Sequence, residues 1–124
     1  MTDEPSSASG YPDDKRMTGV RLRKYIDVVV EDRISSMLFR GAVADIAETG
    51  MRVIADQYLP KGTKYTFTMK RNPFLMLRGE VRWIRAVDPN TYHVGVLFLD
   101  IAEDDRKRLL TFLEIERKRL ATTG

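Results

Sequence analysis

A stretch of seven residues constrains this chain more than anything else in it. From Lys64 to Lys70, Tyr65, Phe67 and Met69 alternate with Lys64, Thr66, Thr68 and Lys70. Successive side chains of a strand point to opposite faces, so this period of two describes an antiparallel strand buried on one side only. Such a strand needs hydrogen-bonded neighbours and an apolar layer beneath it. Further strand-like runs occur at 25–31, 37–46, 51–55, 77–87 and 92–99. Turn formers break the chain between them: Gly62 after Pro60 and Lys61, Arg71-Asn72-Pro73, and Asp88-Pro89-Asn90. Proline fixes φ there, and Asn and Gly tolerate the left-handed region. Six short strands with short links predict a closed or nearly closed antiparallel barrel, which leaves no exposed strand edge. In the 77–87 run, the alternation predicts Leu77, Val81 and Trp83 on one side and Arg78, Glu80 and Arg82 on the other. Trp83 is therefore read as core or half-buried sheet, and His93 as an ordinary strand residue.

The period changes after Asp100. Leu109, Leu110, Leu113 and Leu120 recur at helical spacing, with Phe112 and Ile115 at the margins of the stripe. Asp100 and Glu103 have the spacing of a capping box. Glu103, Asp104 and Asp105 fall in the first turns and Arg117, Lys118 and Arg119 in the last, both favourable to the helix dipole. The leucine face is expected to pack on the barrel or on a partner. At the other end, residues 1–19 offer little beyond Tyr11 and Met17 to bury, which predicts a flexible tail. The 124-residue length fits one domain, taken to span 20–121.

Several functions are excluded. There is no cysteine and a single histidine, which removes disulfides, thiol catalysis and zinc-thiolate or histidine-rich metal sites. No G-x-S-x-G elbow, P-loop or dinucleotide fingerprint is present. Paired carboxylates occur only in the tail, turns and helix ends, where solvation explains them. The reading is a protein that is not an enzyme, with no catalytic residue, metal or cofactor. No segment approaches the ~18–20 apolar residues of a membrane span. The acidic N-terminus lacks the basic start of a secretory signal, so a cytoplasmic location is expected. A net charge of +3 with interspersed signs argues against nucleic acid as a partner. A single-stranded nucleic-acid binder would need aromatics on a basic sheet face.

Two segments remain as a candidate site. One is Val20-Arg21-Leu22-Arg23-Lys24-Tyr25, before the first strand run. The other is Asp45-Ile46-Ala47-Glu48-Thr49-Gly50, after the second. One strand out and one back lie between them, so antiparallel pairing brings both to one end of the barrel. A basic linker and an acidic turn there can hold a ligand between them. Read without a ligand, Arg21, Arg23 and Lys24 are equally a solvated basic patch, and Asp45 and Gly50 equally a plain turn. A second candidate surface is Phe74-Leu75-Met76-Leu77, where alternation buries only half of four large apolar residues. Phe74 and Met76 are the two expected to face solvent or a protein partner, unless the end helix covers them.

The Gly-Glu-Val-Arg-Trp run at 79–83, the Tyr-His-Val-Gly-Val-Leu-Phe run at 92–98, the strand order and the closing helix give the chain, over roughly residues 20–115, a resemblance to the bacterial PilZ domains. The resemblance implies a six-stranded antiparallel β-barrel with a C-terminal α-helix. It also implies a role as receptor or adaptor in cyclic di-GMP signalling, including motility and pilus control. The ligand site it implies combines an R-x-x-x-R linker with a [D/N]-x-S-x-x-G turn. Arg21 can stand at the first arginine, but Tyr25 stands at the second. Asp45 and Gly50 match the turn, while Ala47 replaces the serine. No other start in residues 15–25 gives arginines four apart: Arg16 and Arg21 are five apart, Arg21 and Arg23 two.

Cyclic di-GMP presents two guanines and two phosphates. Arginine reads a guanine edge as a planar fork and attracts phosphate, and aspartate accepts from guanine N–H groups. Gly50 is expected to permit a tight turn at positive φ. Tyrosine at 25 can stack but carries no charged fork. Losing that charge-assisted bond costs roughly 1.5–3 kcal/mol and losing the serine hydroxyl roughly 0.5–1.5, together about one and a half to three powers of ten in affinity. Arg16, Arg23 and Lys24 are placed to recover part. The expectation is an adaptor that binds cyclic di-GMP weakly or not at all and acts through protein partners. The alternative is a working receptor whose basic linker orders on the nucleotide.

Overall fold

The alternation at 64–70 builds a strand, and its apolar side is the centre of the molecule. In the computed structural model, which describes residues 20–32, 34–71 and 74–123, Tyr65, Phe67 and Met69 are buried while Lys64 is exposed. The elements run β1 (Val20–Asp32), β2 (Met37–Ile46), β3 (Gly50–Ala55), β4 (Lys64–Met69), β5 (Leu75–Asp88), β6 (Thr91–Phe98) and α1 (Glu103–Thr123). The six strands close into a barrel in the order β1-β2-β3-β6-β5-β4, every neighbouring pair antiparallel. Closure is made by β1 on β4, through Val29 opposite Thr68, Val30 opposite Phe67 and Glu31 opposite Thr66.

The core is the inner face of this barrel. Val28, Val30, Val43, Met51, Val53, Phe67, Met69, Leu75, Val81, Val94 and Val96 are all buried there. Each large side chain so buried stabilises the fold by roughly 1.5–3 kcal/mol relative to exposure. Edge-on aromatic contacts join Phe39 to Tyr65 and Tyr65 to Phe67, with centroids 6.3 and 6.2 Å apart. Gly62, at φ 90°, closes the turn before β4, as its position after Pro60-Lys61 predicts.

Four expectations about these elements need correction. The basic cluster does not precede the first strand but lies inside it, because β1 begins at Val20. Its Val20 and Leu22 are buried with the core, and that burial carries the strand back through the arginines. The tail expected at 1–19 lies outside the described residues.

The helix also starts later than the capping box suggests. Asp100 sits at φ 45° in a bend, and the first helical bond runs from the Arg106 N–H to the Ala102 carbonyl. Finally, the buried stripe is Leu109, Phe112, Leu113 and Glu116, at i, i+3, i+4 and i+7, so Phe112 is central and Leu110 is exposed. The side chain of Leu120 lies outside the described residues. Arg117, Lys118 and Arg119 precede the last turn, which carries no basic residue. The helix packs on β1 and β5, and Glu116 receives a hydrogen bond from the Arg71 guanidinium at 3.3 Å.

Candidate ligand-binding site

The segment Asp45 to Gly50 is the tight link between β2 and β3. The Ala47 N–H donates to the Gly50 carbonyl at 2.8 Å, leaving Glu48 and Thr49 exposed at the tip. The Phe98 N–H donates to the Thr49 carbonyl at 2.9 Å, which ties the tip to β6. Gly50 is not at positive φ, contrary to expectation. Glycine is required there by closeness: a Cβ would stand 2.2 Å from the Val96 carbonyl oxygen. Ala47 is buried.

Three irregularities in strand pairing place the side chains of this end. Between β2 and β3 the register passes from Val43 opposite Val53 to Asp45 opposite Arg52, leaving Ala44 as the extra residue. Plain alternation would turn Asp45 inward with Val43. The bulge sends it outward and returns Ile46 to the core. Between β5 and β6 the register passes from Val81 opposite Val96 to Trp83 opposite Gly95. This bulge turns Trp83 to the outer face, so Trp83 does not share a face with Leu77 and Val81. The indole covers Gly95, where a Cβ would lie 2.1 Å from Nε1. Between β1 and β2, Arg21 is opposite Asp45 and Ile26 opposite Val43, so residues 22–25 bulge against Ala44.

Register partners share a face. Asp45, Arg52, Gly95 and Trp83 therefore form one outer row across four adjacent strands, β2-β3-β6-β5, and Arg21 of β1 is in register with Asp45. Within it, Arg52 Nε donates to Asp45 Oδ2. Arg52 Nη1 lies 3.0 Å from His93 Nδ1. A guanidinium can only donate, so Nδ1 accepts and the imidazole proton sits on Nε2. His93 stands opposite Ile54 on one side and Arg85 on the other. Burial, with the nearby Arg52 and Arg85 charges, holds its pKa below the ordinary imidazole value, and Asp45 opposes the shift.

Of the residues singled out from the sequence, Asp45 and Gly50 meet at this end and Arg21 joins Asp45 by register. Tyr25 is about half exposed on the β1 bulge. The side chains of Arg21, Arg23 and Lys24 lie outside the described residues. Phe74 and Met76 are exposed while Leu75 and Leu77 are buried, but this pair lies well along β5 from Trp83 and outside the row. Sequence reasoning did not single out Arg52, although it is the one charge in the run 51–55, and took His93 and Trp83 as scaffold. An open depression of about 300 Å³, lined by Arg40, Ala42, Ile54 and Asp56 among others, lies at the far end of β2 and β3.

The family model for the PilZ domain matches residues 15–114. The chain belongs to the PilZ domain family. Solved structures similar to it include the PilZ domain of YcgR from Escherichia coli with c-di-GMP, at 11% identity and TM-score 0.72, covering 89% of this chain and 96% of that one. The K. pneumonia MrkH–c-di-GMP complex gives 13% identity and TM-score 0.72, covering 89% of this chain and 55% of that one. The Bacillus subtilis inhibitor of motility MotI/DgrA gives 19% identity and TM-score 0.65, covering 86% and 53%. The chain thus spans about half of these last two. At such identities the likeness speaks for the fold. No curated protein matches the chain. Among the described residues there is no group of three or more His, Cys, Asp or Glu that could hold a metal ion, and no helix is long and apolar enough to cross a membrane.

Proposed function

We propose that this chain is a non-enzymatic cytoplasmic signalling module that engages cyclic di-GMP weakly at the β2–β3 turn and acts through protein contacts. The observation that carries the reading is an incomplete site in an intact setting. Asp45 is aimed outward, Gly50 closes the turn, and Arg21 is in register with Asp45. Yet Tyr25 and Ala47 stand where the family motif asks for an arginine and a serine. Neighbours solved with c-di-GMP support the ligand class, and a neighbour named as an inhibitor of motility supports a role in motility control. The exposed pair Phe74 and Met76 is the favoured protein-contact surface. Calorimetric titration with cyclic di-GMP, with Arg21→Ala beside it, tests the ligand. Saturable but weak binding, further weakened in the mutant, is expected. An absence of heat with folded protein overturns the ligand part and leaves the protein contacts to be tested by Phe74→Ser and Met76→Ser.

A second reading, a full-strength receptor, is favoured by one observation: Arg52 adds a guanidinium beside Asp45 from a strand outside the motif. Tight saturable binding in the same titration distinguishes it.

A further inference from the structure

Closing the barrel does not cover the whole of β5. The strand runs for 14 residues, and β6 accompanies it from Gly79 to its end at Asp88. On the other side β4 accompanies it only from Leu75 to Glu80. The loop before β4 adds one position, where the Gly62 N–H donates to the Val81 carbonyl at 2.7 Å and the Val81 N–H to the Thr63 carbonyl at 3.0 Å. Beyond Val81, nothing among the described residues pairs with that side of β5. Alternation identifies the groups left there. The Phe98 N–H turns to the Thr49 carbonyl on the β3 side, so Gly95 and His93, at odd steps from it, turn theirs to β5. Their register partners Trp83 and Arg85 are thus committed to β6. Ile84 and Ala86 therefore aim N–H and C=O away from β6, and Ala86 is exposed. The extra residues Arg82 and Val87 bracket this open stretch.

We infer that the open edge of β5 is a docking site for an extended acidic segment of a partner protein, which adds a strand beside Ile84 and Ala86. The inference rests on the proposed action through protein contacts, is independent of the nucleotide, and adds a surface apart from Phe74 and Met76. Charge identifies the chemistry of the partner. Exposed Lys61, Lys64, Arg82 and Arg85 flank the edge, and none of them makes an ion pair among the described residues. The nearby acids are fewer: Glu80 is half-buried opposite Lys64, and Asp88 accepts the Asn90 N–H at 2.9 Å. The same cations disfavour a second copy, because two such edges paired antiparallel bring Arg82 and Arg85 of one against those of the other. Alternate side chains of an added strand meet different surroundings. On the outer side they meet Arg85. On the inner side they meet Ile84 and Ala86. Exposed Tyr58 stands next to these, its ring edge-on at 5.7 Å to Tyr92, the register partner of Ala86. The segment that fits alternates acidic and apolar residues.

The probes are two capped hexapeptides, one alternating Glu with Val and the other Lys with Val. Backbone NMR of the full chain follows resonance shifts and amide exchange. In the protein alone, the amides of Ile84 and Ala86 should exchange faster than those of Trp83 and Arg85. The Glu–Val peptide should slow them and shift resonances at 82–88. Its affinity should exceed that of the Lys–Val peptide by about five-fold or more and fall with added salt. Arg82→Glu combined with Arg85→Glu should reverse the preference. Ala86→Pro removes an edge N–H and should weaken the Glu–Val peptide several-fold. Lys107→Gln, at an exposed position of α1, should leave it unchanged. Thermal melting checks that each variant is folded, and if Ala86→Pro is not, the charge reversal decides. Slow exchange at Ile84 and Ala86 in the protein alone overturns the inference, because the edge is then covered. So does an absence of shifts at 82–88 at millimolar peptide, an equal response to the two peptides, or concentration-dependent protection of the edge by a second copy. An absence of cyclic di-GMP binding overturns only the ligand reading and leaves this inference standing.

Discussion

β4 and the β2–β3–β6–β5 face are made of the same kind of strand and do different work. β4 keeps its period of two without a break, with Tyr65, Phe67 and Met69 turned into the core. β2 breaks the period once against β3 and β5 twice against β6, and the first break in each turns out a side chain that an unbroken strand would bury, Asp45 in one and Trp83 in the other. Regular strands hold the barrel closed, and irregular ones present chemistry on it. An extra residue in one strand of a pair costs little when the next residue returns to the core, as Ile46 and Ile84 do.

The comparison predicts that stability and ligand binding separate by region. Phe67→Ala removes a fully buried ring from the regular strand and should destabilise the fold by about 3–5 kcal/mol in denaturant unfolding. Asp45→Asn, on the irregular one, should cost less than about 1 kcal/mol because its ion pair with Arg52 is partly solvated, while abolishing nucleotide binding. Equal destabilisation by the two would mean that the row is part of the scaffold and not a face carried by it. Gly50→Ala lies between the regions. Its new methyl meets the Val96 carbonyl oxygen, a backbone atom that cannot swing aside. A loss of about 1–3 kcal/mol is expected, with weakened binding as the turn shifts. A variant as stable as wild type would show that β3 and β6 can separate locally at no cost.

The same contrast explains what the sequence disclosed. The barrel was legible because most runs keep their period and end at Gly, Pro or Asn. The outer row was not, because a bulge is a property of how two strands pair and has no residue signature of its own. Asp45 and Gly50 were singled out as an acidic turn set against the basic segment and then matched the PilZ motif, but the reason for Gly50 was misread: a close neighbouring strand, not a positive φ, demands it. One signal was available. Trp83 and Ile84 are adjacent large apolar residues in a strand, and only one of them can face a core. The helix misled for a similar reason. The spacing of Asp100 and Glu103 matches a cap, yet Asp100 is spent on a bend at φ 45°, and which leucines face inward depended on where the helix docks.

A smaller effect comes from the glycine beneath the indole. Gly95→Ala puts a methyl where Trp83 now lies. The indole is a side chain and can tilt away, so the cost should be only about 1 kcal/mol. Tryptophan emission should shift to the red as the ring enters water. Unchanged emission would mean that the indole does not rest on Gly95, and the row would then end at Arg52.

The smallest effect, and the most specific to Arg52, is in pH. His93 Nδ1 accepts from Arg52, so it must be neutral for the contact to exist. Protonation puts hydrogen on both nitrogens, ends that bond and adds a positive charge beside Arg52 and Arg85, against which Asp45 gives only partial relief. The folded-state pKa is therefore below the unfolded value of about 6.5. Between the two values the unfolded chain binds more protons than the folded one, so stability falls as pH drops from about 6.5 to the folded value and falls no further below it. Carboxylates titrate lower and contribute their own losses, which is why a variant is needed. His93→Gln keeps a neutral acceptor that cannot be protonated. The melting temperature of the wild type should drop a little more than that of His93→Gln between pH 7.5 and pH 5.5, conditions chosen to bracket ~6.5. Identical drops would mean that the imidazole does not sense Arg52, and that Asp45 alone fixes the guanidinium in the row.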